Sequence, residues 1–104
     1  MKNIEMINNA NRLNEFVAKD KVVPIALSFA ISANINELTH KLEPYEVERK
    51  KLVKKNLEDK EEESDLLQEL LDIDVDVDIR KVTKESLPED LTTKDVIALS
   101  FMLE

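Results

Sequence analysis

Three groups of residues in this chain have the types and spacing for chemistry. The first is a carboxylate ladder: Asp72, Asp74, Asp76 and Asp78 alternate with Ile73, Val75, Val77 and Ile79. Asp74, Asp76, Asp78 and Glu85 fall at positions 1, 3, 5 and 12 of a calcium loop, where oxygen ligands converge on a hard cation. Such a loop needs glycine at its sixth position for the sharp turn, and Ile79 stands there. Lys81 takes the apolar eighth position. The period of two asks for an extended segment, not a loop wrapped round an ion. The simpler expectation is a strand with one buried face and one solvated carboxylate face. A minority reading, helped by Glu61, Glu62, Glu63 and Asp65, is a row of charge imitating DNA phosphate spacing.

The second group is His40, the only histidine, in a chain without cysteine. A conventional zinc site is therefore excluded. With no orienting carboxylate evident, His40 reads as a helix-surface side chain, and no metal or cofactor is expected.

The third is Arg49 with Lys50, Lys51, Lys54 and Lys55, the only basic concentration in an acidic sequence. Arg49 sits in an apolar stripe between Tyr45 and Leu52, and a buried guanidinium must be paired or must reach solvent. An internal ion pair with a solvated lysine face would satisfy it. The functional alternative is an anion pocket where two copies of this helix meet. There Arg49, Lys50 and Lys54 would grip a phosphate-bearing ligand and Tyr45 would stack on it.

The elements that must position these groups follow from periodicity. Residues 4 to 18 carry Ile4, Ile7, Leu13, Phe16 and Val17 at helical intervals, although Asn8, Asn9, Asn11 and Asn14 are mediocre helix formers. From Pro24 to about Leu57 a stripe of Leu27, Ile31, Ile35, Leu38, Leu42, Tyr45 and Leu52 marks one face of a long helix. Pro44 interrupts that helix at a cost of about 3 kcal/mol in an interior position. The stripe keeps its phase, so a kink is expected in preference to a stop. After an acidic run over 56–65, Leu66, Leu67, Leu70 and Leu71 predict a helix from Ser64 to Asp72, folded back as an αα-hairpin. The ladder predicts a strand over 73–80 that needs a partner within or between chains. A last helix, capped by Thr92 or Thr93, runs to Leu103 and is apolar on nearly every side. The fold class expected is thus α+β, mainly α, with a long kinked central helix, packed helices and a small β element in one domain spanning residues 1–104. The pentapeptide Ile25-Ala26-Leu27-Ser28-Phe29 recurs as Ile97-Ala98-Leu99-Ser100-Phe101. Two helix ends in similar niches at an interface, or two buried helices drawing on one small alphabet, would each produce it.

The totals narrow the function. Glycine is absent, which excludes Gly-rich phosphate loops and leaves Asn or Asp to take positive φ. With 23 acidic and 15 basic residues the net charge is −8, which disfavours direct nucleic-acid binding. Apolar residues make up 42% of the chain, enough for a folded core. No secretory signal or membrane span is visible, so a cytoplasmic protein is expected.

Val-Pro-Ile-Ala-Leu-Ser-Phe at 23–29, Leu-Glu-Pro-Tyr-Glu-Val-Glu-Arg-Lys-Lys-Leu at 42–52 and Asp-Val-Asp-Val-Asp-Ile at 74–79 together resemble a group of short bacteriophage and prophage proteins. The resemblance covers nearly the whole chain but contains no chemical motif, and it implies a phage origin without a mechanism. The expectation is a non-enzymatic, homo-oligomeric counter-defence protein in the host cytoplasm. It would act as a sponge for a host nucleotide signal or by capping a host defence protein. The alternative is a structural or assembly accessory protein with no ligand pocket.

Overall fold

The computed structural model describes the backbone of residues 1–54 and 60–104, and the side chains of residues 1–53 and 64–104. Of the acidic run over 56–65, residues 56–59 and the side chains of 60–63 lie outside what the structure describes. The chain forms α1 (Asn3–Ala18), α2 (Ile25–Lys41), α3 (Glu43–Lys54), α4 (Lys60–Leu71) and α5 (Thr93–Leu99), with 3₁₀ turns at Lys84–Ser86 and Ser100–Met102.

Helix α1 turns Met6, Ala10, Leu13 and Phe16 inward, a stripe of one face, and leaves Asn8, Asn11 and Asn14 exposed. Its first turn is tied by the Lys2 N–H donating to Glu5 Oε1 at 3.0 Å. It ends at Asp20, whose φ of 52° is the left-handed turn that glycine takes in other chains. Leu27, Ala30, Ile31 and Leu38 of α2 face α1, and Val82, Leu99 and Met102 close the core from the C-terminal third.

The expected kinked helix is divided. Leu42 stands between α2 and α3, and Pro44 occupies the first turn of α3, where its missing N–H costs least. The Leu42 N–H still donates to the Leu38 carbonyl and the Glu46 N–H to the Leu42 carbonyl, each at 3.0 Å, so the stripe carries its phase across the break. Helix α4 folds back on α3 as an αα-hairpin.

The α+β expectation is overturned: the fold is helical, and no strand or sheet occurs among the described residues. Only isolated bridges remain, Lys2 to Asp74 antiparallel and Val82 to Leu103 parallel. Residues 73–82 nevertheless run extended as a strap, with Val75, Val77 and Ile79 half-buried and the aspartates exposed. The reason is that side chains replace a partner strand. Asn34 on α2 is fully buried; its Oδ1 accepts from the Arg80 N–H at 2.7 Å and its Nδ2 donates to the Arg80 carbonyl at 3.0 Å. Glu37, one turn on, accepts the Asp78 N–H at 2.7 Å. Val75 exchanges two hydrogen bonds with Met1, and Val82 one each with Met102 and Glu104. Alternation reports one buried face, and a strap laid on helices satisfies that as well as a sheet does.

Candidate binding surfaces

Tyr45, Arg49 and Lys50 stand on α3, and the fold separates them. Tyr45 is buried beneath the α3–α4 hairpin close to Leu70. Arg49 and Lys50 are exposed and line none of the grooves described below. The side chain of Lys54 lies outside the described residues. Steps 45–49–52 and 45–48–52 are both helical; Glu48 and Arg49 are both exposed, and it is Glu48 that lines the grooves with Tyr45 and Leu52.

Tyr45 belongs to the wall of an apolar channel. One part, of about 520 Å³, is lined chiefly by Pro44, Tyr45, Val47, Leu70, Ile73 and Val75. The next, of about 480 Å³, continues between Leu52 and Leu66 and shares Leu70, Ile73 and Glu48. Val47 and Ile73 are 52% and 50% exposed at its edges. The rim is mainly acidic, with Glu43, Glu48 and Glu69 against Lys41. His40 is also on this rim, and the carboxylate that sequence spacing overlooked is Glu43, whose Oε2 lies 3.7 Å from His40 Nδ1. Both side chains are solvent-exposed, which gives this pair no desolvated proton site.

A second groove, of about 680 Å³, runs between α1 and α5 beside Asp95. Asp95 is almost wholly buried, yet it stays ionised. Its hydrogen bond from Lys19 Nζ, with that from the Thr92 N–H, holds the carboxyl well below its ordinary 3.8 despite burial. Lys21 Nζ approaches its other oxygen at 3.5 Å, and the Asp95 N–H donates back to Thr92 Oγ1 at 3.1 Å. This is a capping box whose acid also receives the end of α1. Sequence reading left the cap open between Thr92 and Thr93, and the structure places it at Thr92; the cationic partners of Asp95, more than 70 residues away, gave no local sign.

The strap carries its carboxylates outward. Asp74 is held below the usual range by a hydrogen bond from the α-amino group, 2.7 Å away. Among the described residues no cluster of three or more Asp, Glu or His side chains is placed to hold a metal ion. No helix among them is long and apolar enough to cross a membrane. The channel therefore offers apolar contact with an acidic edge, and the Asp95 cluster offers a closed structural joint. Compared with family models, curated proteins and solved structures, the chain has no match.

Proposed function

We propose that this chain is a non-enzymatic binding protein of phage origin that blunts a host defence by capping a host protein through the α3–α4 channel. It acts as a homo-oligomer in the cytoplasm of the infected cell. The observation that carries the reading is the channel itself: a continuous apolar lining, half-exposed Val47 and Ile73, and carboxylates along the edge. Such a surface suits an amphipathic helix with an apolar face flanked by lysine or arginine. Sequestration of a phosphate-bearing ligand stands second, because Arg49 and Lys50 share no groove with Tyr45.

The test is plaque formation in a bacterium whose defence blocks a test phage. Expression of the chain restores plaques, and Val47→Asp combined with Ile73→Asp removes that restoration while Arg49→Ala keeps it. The reverse pattern would assign the function to the basic ridge. Native mass spectrometry before and after heat release of small molecules then shows whether a nucleotide travels with the protein. Failure of the wild-type chain against every defence tried would favour the assembly role.

A further inference from the structure

We infer that two copies of this chain pair across a two-fold axis through the N-terminal turns of α2, with Ile25 and Phe29 of one copy packed on those of the other. Val22 and Ile25 are the most exposed large apolar side chains among the described residues, at 96% and 87%, and Phe29 is 59% exposed. Ile25 and Phe29 lie one turn apart on a single helix face. Beside them a groove of about 450 Å³ separates α2 from the ridge over residues 80–86. An apolar face this exposed on so small a protein marks an interaction surface.

The occupant is argued from the charges at its edge. Arg80 and Lys81 line the groove, and so does Glu104. The side chains of Arg80 and Lys81 are held from behind, and Glu104 is held by its backbone. The Arg80 guanidinium lies over the Phe29 ring at 4.8 Å, and its backbone is clamped by Asn34. Lys81 Nζ donates to the Phe101 carbonyl at 2.6 Å, and the Glu104 N–H donates to the Val82 carbonyl at 2.9 Å. A two-fold axis brings Arg80 of each copy against Glu104 of the other, so a rim carrying both signs complements itself. The α3–α4 channel has a mainly acidic edge and would repel its own image. The pentapeptide repeat supports the same face. Leu27 and Leu99 are both fully buried, whereas Phe101 packs partly into its own chain and Phe29 is left at the surface.

This inference deepens the oligomer named in the proposed function by assigning its contact face, and it does not depend on the host partner. Sedimentation equilibrium of the full chain should show a dimer, and Phe29→Glu should convert it to a monomer with an unchanged circular dichroism spectrum. Because the chain has no cysteine, Ile25→Cys supplies one thiol per copy, and mild oxidation should give a covalent dimer. Arg80→Glu and Glu104→Arg should each weaken pairing alone, while an equimolar mixture of the two variants should form heterodimers. A wild-type monomer at the highest concentration attainable would overturn the inference. So would a dimer that survives Phe29→Glu and gives no Ile25→Cys cross-link. A wild-type chain that restores plaques, loses that restoration on Val47→Asp with Ile73→Asp, and yet sediments as a monomer would mean that this face fails while the capping function stands. A dimer through this face in a chain that restores no plaques would mean the reverse.

Discussion

Asn34 is one side chain doing the work of a neighbouring strand. Its amide presents one acceptor and one donor in the spacing of a peptide group, and both are used on Arg80 with no exposure to water. Asn34→Ala leaves a backbone N–H and C=O of Arg80 unpaired at a partly buried joint, which should cost about 2 kcal/mol in urea denaturation. Asp95 is the other residue on which a joint depends, and its effect is visible in pH. Its carboxyl is depressed in the folded protein, mainly by the Lys19 hydrogen bond, so the unfolded chain binds the proton more tightly. The stabilisation is therefore complete above the ordinary value of 3.8 and is lost as pH falls below it. Asp95→Asn keeps the shape but removes the charge, and should cost about 2 kcal/mol at neutral pH. The gap between wild type and variant should narrow in melts taken below pH 4.

At the scale of elements, the strap over 73–82 makes a prediction that a sheet would not. The N–H groups of Val75, Asp78, Arg80 and Val82 are bonded, to Met1, Glu37, Asn34 and Met102 respectively. Those of Asp74, Asp76, Val77, Ile79 and Lys81 have no such partner among the described residues. Hydrogen exchange should be slow at the four and fast at these five, and Glu37→Ala should release Asp78 while leaving Arg80 protected. This segment also marks the limit of what the residues disclosed. The inward stripes of α2 and of the α3–α4 hairpin were legible, because a 3.6-residue period records burial directly. The alternation over 73–79 was legible as burial too, but it does not record what binds the backbone. Asn34 and Glu37 gave no local sign of that role, since their partners are more than 40 residues distant. Pro44 was read as a kink because the stripe keeps phase, and phase is kept across a break as well. At the candidate site, Tyr45 was placed on the correct helix face, whereas Arg49 and Glu48 compete for one stripe position on spacing alone. Both are exposed, and Glu48 is the one that lines the groove with Leu52.

The whole molecule is longer than its length requires. Its radius of gyration is 16.3 Å with extents of 52 × 23 × 18 Å, against about 13 Å expected for a compact chain of this size. The main core joins α1, α2, the strap end at Val82 and the C-terminal helical turns, and α3–α4 project from it as an arm. Among the described residues only Tyr45 and Leu70 are buried in the arm, and Asn3 Nδ2 ties its base by donating to the Leu70 carbonyl at 2.8 Å. So few buried side chains among the described residues place the arm at the low end of local stability. Tyr45→Ala removes its largest buried side chain and should cost about 3 kcal/mol. That loss should fall on the arm first. Exchange should accelerate through α3 and α4 while Leu13, Leu27 and Leu99 in the main core stay protected. Uniform acceleration across the chain would mean that arm and core unfold as one unit. The channel would then be a rigid wall of the fold, and the partner proposed for it would have to fit it as it stands.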